Sequence, residues 1–333
     1  MRSFFLLFVA LLAVFASCSN DFELNAPSEN IAVVYGFLDK DDEVHYIRVE
    51  RAFIDPETNA LEIAKNPDSL YYTDALVELI RLDKNETITL KRVNAAEEGL
   101  PREDGIFASD PNVLYRFSLP EDEQLEGGER VQLRISLDDV EAPVTAETQI
   151  IGDIEFAGGK PSPMNLQWRY NRPTSFAWTP QAGGVIFDLI LTINFQERTS
   201  TGEFIDRSLE WVVQRNIRQM LGETRVSIDV SGERFYQFLQ AELSDEPRMQ
   251  RFLQSIDVRV VAGGQELLDF LNITQANTGI TSAQEVPFFT NLEGNGVGLF
   301  TSRSSATIEV TSLSEESRDS LRNGIYTRGL NFQ

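Results

Sequence analysis

The chain has 333 residues, with 29 Lys and Arg against 52 Asp and Glu, and carries a formal charge of −23. Such a field disfavours nucleic acid and bare anionic membrane as partners and favours solubility and cationic partners. The 42% hydrophobic and 10% aromatic content belongs to a folded protein, while one cysteine and one histidine exclude an intramolecular disulfide and any zinc site of several Cys and His ligands.

Met1-Arg2-Ser3 supplies one positive charge, Phe4 to Ala16 is an unbroken apolar run, and Ala16-Ser17-Cys18 follows. A basic start, a short apolar core and small residues before a cleavage point make residues 1–17 an export signal. The run is shorter than the roughly 20 residues of a spanning helix. Cys18, the only cysteine, sits where the lipobox of a bacterial lipoprotein places the residue that is acylated and becomes the mature N-terminus. Several acyl chains on it hold a protein to a membrane where one does not. The tract Ser19-Asn20-Asp21-Phe22-Glu23 resembles the acidic export signal that Bacteroidota lipoproteins carry behind that cysteine, with Asn20 in place of an acid. The resemblance implies the outer face of the outer membrane. Residues 18–30 are therefore read as a lipidated cysteine and its tether.

Ile31 to Leu38 is apolar and β-rich, and Asp39-Lys40-Asp41-Asp42-Glu43 is a charged turn. In Val44 to Phe53, Val44, Tyr46, Arg48 and Glu50 point one way while His45, Ile47, Val49 and Arg51 point the other. These segments predict an antiparallel hairpin. The turn lacks the spaced acids of a calcium loop. Asp55 to Ser69 is a polar loop with two prolines and room for one helical turn. Ala75 to Leu82 and Thr87 to Val93 form a second hairpin about Asp83-Lys84-Asn85-Glu86. Val113 to Ser118, Arg130 to Leu137 and Thr145 to Ile151 add strands. Short strands divided by turns predict an immunoglobulin-like β-sandwich over 31–151.

Residues 152–163, with Gly158-Gly159 and two prolines, read as a linker. A second β-rich domain over 164–333 opens with Ser175 to Pro180 and Val185 to Phe195, which look like the first strands of a fibronectin type III-like fold with Trp178 buried between sheets. Phe204 to Ile217 completes a long hairpin, and Arg225 to Val230 is a further strand. The period then changes. Ser231 caps a helix to Leu243 through Phe235, Phe238 and Leu239, and Pro247 opens a second through Leu253. Ser255 to Ala262 is a strand and Gln265 to Leu271 a short helix. Leu299 to Thr301 and Ala306 to Val310 are the last strands, before a helix over Glu315 to Arg322. The fold class is mainly β with helical insertions. Gly294, Gly296 and Gly298 lack the spacing and the following helix of a phosphate cradle, so they read as a turn before Leu299.

No carboxylate pair is placed by sequence adjacency into the unlike environments that acid–base chemistry needs. A serine triad would have to use His45, and no Gly-x-Ser-x-Gly elbow serves it. No catalytic residue, metal ligand or cofactor is expected. Asp68-Ser69-Leu70 and Asp319-Ser320-Leu321 resemble the acceptor pattern of Bacteroidota O-glycosylation, which makes Ser69 and Ser320 its candidates.

Ile31 to Gly36 with Val44 to Val49, the Asp104-Gly105-Ile106-Phe107 tract, Val144 to Thr148, and Phe289 to Phe300 together resemble a family of uncharacterised Bacteroidota outer-membrane lipoproteins. That resemblance implies two β-rich domains and a place in the cell envelope, sometimes beside TonB-dependent receptors. It transfers no catalytic or ligand residue. The expected function is non-enzymatic binding or scaffolding at the cell surface, accessory to TonB-dependent uptake or adhesion, with an outer-membrane receptor or another envelope protein as partner. Two alternatives stay open: an envelope hydrolase whose carboxylates assemble only in the fold, and a purely structural partner of another envelope protein.

Overall fold

Apolar and polar residues alternate with period two through most of the chain, the pattern of a strand with one buried face. The computed structural model describes residues 30–52, 60–138, 140–162, 165–220, 222–246, 248–276 and 289–333. The export signal, Cys18 and the Ser19–Glu23 tract lie outside them. The first half supplies β1 (Ala32–Leu38), β2 (His45–Arg51), β3 (Leu76–Arg81), β4 (Glu86–Thr89), β5 (Lys91–Asn94), β6 (Val113–Phe117), β7 (Arg130–Ser136) and β8 (Val144–Gln149). The second supplies β9 (Ile154–Phe156), β10 (Pro173–Pro180), β11 (Ile186–Arg198), β12 (Phe204–Arg218), β13 (Val226–Ser231), β14 (Gln250–Gly263), β15 (Leu292–Glu293) and β16 (Gly296–Val310). Besides the single-turn helices Ala60–Ile63 and Pro67–Leu70, three longer helices accompany them among the described residues: α1 (Gly232–Glu242), α2 (Gln265–Ala276) and α3 (Glu315–Asn323). Among the described residues, no helix is long and apolar enough to cross a membrane.

The strands form an eight-stranded sheet in the order β12-β11-β14-β16-β1-β2-β6-β5, a five-stranded sheet β15-β8-β7-β3-β4 and a three-stranded sheet β13-β10-β9. The five-stranded sheet packs on the β1 end of the large sheet around Val34, Ile47, Val77, Leu133, Val144 and Phe300. The three-stranded sheet, with α1 and α3, packs on the β11 end around Trp168, Trp178, Leu191, Phe235 and Val258. The protein is thus mainly β, with sandwich-like packing around two cores under one shared sheet.

The shared element is β16. Its residues Gly296 to Ser302 run parallel to β1, and Arg303 to Val310 run antiparallel to β14. Glycine makes the first pairing close. Gly298 has φ +129, and a Cβ there would lie 1.9 Å from the carbonyl oxygen of Val34. The Gly294–Gly298 stretch is therefore turn only at its start: Gly296 and Gly298 are strand, and Leu299–Thr301 and Ala306–Val310 are parts of a single strand rather than two.

Three other expectations are corrected. Thr87 to Val93 is broken at Leu90, whose buried side chain sits where the chain crosses from one sheet to the other; β4 pairs with β3, but β5 pairs with β6. The helix expected from Pro247 through Leu253 is replaced by β14 from Gln250, drawn into the sheet by pairing with β11; Pro247 itself lies outside the described residues. The stretch 152–163 holds β9, which is bonded to β10 rather than left as free chain.

Two buried arginines fix loops to strands. Arg81 meets Glu129 in a two-pronged pair, Nε to Oε1 at 2.5 Å and Nη2 to Oε2 at 2.9 Å, and donates to the carbonyls of Glu123 and Gln124. Arg251 pairs with Glu197 at 3.0 Å and donates to the carbonyls of Ser244 and Leu330. Each guanidinium shares its N–H groups between a carboxylate and backbone oxygens, the arrangement that makes a buried charge tolerable.

Candidate functional site

Trp168 anchors the most distinctive surface of the protein. Its indole is fully buried, stacks on Phe235 at 4.8 Å, and lies within 5.7 Å of Phe176 and 6.2 Å of Trp211. Its backbone N–H donates to Ser317 Oγ at 2.8 Å, and its carbonyl accepts from the Tyr236 hydroxyl at 2.8 Å. Burial holds the Tyr236 hydroxyl well above its ordinary pKa, so it remains a donor. Leu166 and Leu313 add a parallel bridge to the segment before α3.

From this anchor the chain reverses. Arg169 and Arg172 stand opposite each other as an antiparallel bridge about Tyr170-Asn171. Gly232, the first residue of α1, lets the helix press against Arg169, where a Cβ would lie 2.4 Å from the backbone oxygen. Thr174 Oγ1 donates to the carbonyl of Gln167 and closes the other side. The two arginines are therefore presented from a fixed backbone.

They line a cleft of about 370 Å³ with Lys160, Gln167, Thr174 and Ser175. No acidic side chain is among the described residues that line it. Arg169 holds Glu316 at 2.8 Å through Nε, whereas Lys160 and Arg172 are exposed and make no ion pair among the described residues. Like charges directly opposed across an antiparallel pair repel. Beside the cleft, over the outer face of the three-stranded sheet, lies a shallower depression that Lys160 and Arg225 share with Ser227, Asp229 and Glu223.

Motif searching in the sequence missed this cleft, because none of its residues forms a motif. The signal was a depletion of acid: from Phe156 to Phe187 there is no Asp or Glu, although 52 acids in 333 residues would place about five in a stretch of that length. Lys160, Arg169 and Arg172 all fall inside it.

The residues singled out by sequence are dispersed. Cys18, Ser19, Asn20, Asp21, Phe22 and Glu23 are outside the described residues. Ser69 is half-buried in the single-turn helix Pro67–Leu70 of the first half, and Ser320 is half-buried in α3 of the second. His45 is a core side chain: its ring stacks on Phe117 at 4.5 Å, and neither nitrogen has a hydrogen-bond partner. Desolvation lowers its pKa and keeps it neutral. In the Asp39–Glu43 turn, Arg303 faces Asp39 at 3.6 Å and Asp42 at 3.5 Å, while Lys40 bridges Asp41 and Asp153. These carboxylates are engaged by cations of the protein itself. Among the described residues, no cluster of His, Cys, Asp and Glu is grouped to hold a metal ion.

The sequence pattern of a family described as a domain of unknown function (DUF4249) matches residues 19–309. No curated protein matches the chain. Among solved structures, the C-terminal globular domain of an oligosaccharyltransferase from Pyrococcus abyssi is similar at 10% identity and a TM-score of 0.24, over 66% of this chain and 41% of that one. The chain thus spans about two-fifths of that domain's length. CBD12 from CALX1.2 is similar at 10% identity and a TM-score of 0.18, over 82% of this chain and 99% of that one.

Proposed function

The chain belongs to the family of that domain of unknown function, and on this footing we propose that it is a lipid-anchored, surface-exposed component of the cell envelope that binds a ligand without transforming it. The acid-free cleft at Lys160, Arg169 and Arg172 carries the binding part of this reading. It is concave, its backbone is held by Trp168, Gly232 and Thr174, and its charge opposes that of the rest of the chain. Loops carried on a rigid β frame suit recognition. The anchoring part rests on the sequence of residues 1–23, with Cys18 as the acylated residue and the Ser19–Glu23 tract as the surface address. An outer-membrane receptor or another envelope protein is the partner, and accessory service to TonB-dependent uptake or adhesion is the task.

The test is recovery of the native lipoprotein from membranes, beside a variant carrying Arg169→Gln and Arg172→Gln. A ligand or partner retained by the native protein and lost by the variant supports the reading. Recovery of the same companions by both, or of none by either, sinks it. Cys18→Ala is expected to leave the membrane fraction, and retention there removes the anchor.

A further inference from the structure

Resting on the binding reading above, we infer that the cleft takes a compact, doubly charged oxyanion, a phosphate monoester on a small polar body, held between Arg169 and Arg172 with Lys160 as the third cation. The opposed arginines carry this. Two guanidinium groups at facing bridge positions repel each other, and among the described residues only Arg169 has a carboxylate beside it. An anion seated between them converts that repulsion into two charge-assisted attractions, and the planar fork of each guanidinium matches the oxygens of a phosphate or sulfate.

The charge count selects the ligand. One carboxylate, Glu316, offsets Arg169, which leaves Lys160 and Arg172 to be met by a ligand of charge two. The remaining lining side chains are uncharged, and Asn165, Gln167 and Ser175 among them are hydrogen-bonding groups suited to a polar body. A volume of about 370 Å³ lies at the small-molecule end of ligand sites. Size is limited further by the field of the whole molecule. With a net −23, long polyanions and anionic bilayers are repelled everywhere beyond the cleft. A small ester carries its charge into the cleft and nowhere else.

Calorimetric titration of the full-length, detergent-purified protein with glucose 1-phosphate, glucose and inorganic phosphate, in low salt without phosphate buffer, tests the assignment. Glucose 1-phosphate is expected to bind at least tenfold more tightly than glucose, and Arg172→Gln to abolish that difference. Arg172→Lys, which keeps the charge and loses the fork, is expected to fall between. Arg172 is exposed and makes no ion pair among the described residues, so the variant is expected to keep the wild-type melting temperature. Glucose 6-sulfate, which carries one charge, is expected to bind more weakly than glucose 1-phosphate, and equal or tighter binding of the sulfate overturns the selection by charge. Equal binding of glucose and glucose 1-phosphate, unchanged in Arg172→Gln, overturns the anion assignment and leaves the binding reading standing. Absence of heat with every ester overturns it too. Vesicles containing phosphatidic acid are expected not to bind, and binding lost in Arg172→Gln would replace the small ester by a membrane.

Discussion

Ser302 Oγ donates to the carbonyl oxygen of Leu38 at 2.9 Å, and the same Ser302 Oγ accepts the backbone N–H of Ile151 at 3.0 Å. One fully buried hydroxyl thus ties β16 to the end of β1 and to the segment that leaves β8. Removing it strands a donor and an acceptor without water. Ser302→Ala is expected to lower stability by about 2 kcal/mol, the scale of an unsatisfied buried polar group, read as a shift of the urea midpoint at constant slope. A loss below a few tenths would mean that the neighbouring backbone finds other partners.

Gly298 and Gly222 form a matched pair for testing the close strand pairing. Both have positive φ, +129 and +85, yet a Cβ on Gly222 meets nothing within 4 Å whereas one on Gly298 collides with Val34. Gly222→Ala is expected to cost about 1 kcal/mol for the backbone alone. Gly298→Ala adds the collision and is expected to exceed 3 kcal/mol, on the scale of strain that forces strands apart. Equal costs in chemical denaturation would show that the β1–β16 approach is not tight.

The Arg81–Glu129 pair is buried on both sides. Arg81→Met leaves the carboxylate uncompensated, and a loss of about 3–5 kcal/mol is expected. A double variant with Glu129→Leu removes both charges and is expected to recover most of that loss. If the double variant is as unstable as the single, the carbonyl contacts of Arg81 to residues 123 and 124 matter more than its charge.

His45 gives the fold a pH dependence of determined sign. Desolvation lowers its folded pKa below the ordinary 6.5, so the unfolded chain binds the proton more readily. Stability from this residue is full above about pH 6.5 and declines as the pH falls toward the folded value. His45→Phe, which keeps the stack on Phe117, is expected to lose less stability than wild type between pH 7.5 and 5. Parallel declines in the two proteins would remove His45 as the cause.

Much of this architecture was legible in the residues. The alternation through His45, Ile47 and Val49 marked the buried face of β2, and Phe235 and Leu239 marked the buried face of α1. What failed was non-local. Thr87 to Val93 keeps a strand composition throughout, and nothing local says that Leu90 is where it changes sheets. Gly296 and Gly298 carry the composition of a turn, and only the nearness of Val34 explains them as strand. The cleft was hidden for a different reason: its evidence is the acids missing between Phe156 and Phe187, and a search for motifs counts what is present.

The parallel pairing of β1 with β16 joins residues more than 260 positions apart, Ala32 with Gly296 and Leu38 with Ser302. Contacts between such distant parts of a chain are slow to form, because the loop must close before any of them is rewarded. The first sandwich therefore waits for almost the last strand made. A polypeptide emerging N-terminus first from the ribosome keeps its opening sheet incomplete until nearly all of it has been made. Shortened at residue 290, it is expected to lose the order of its leading half as well as its trailing one.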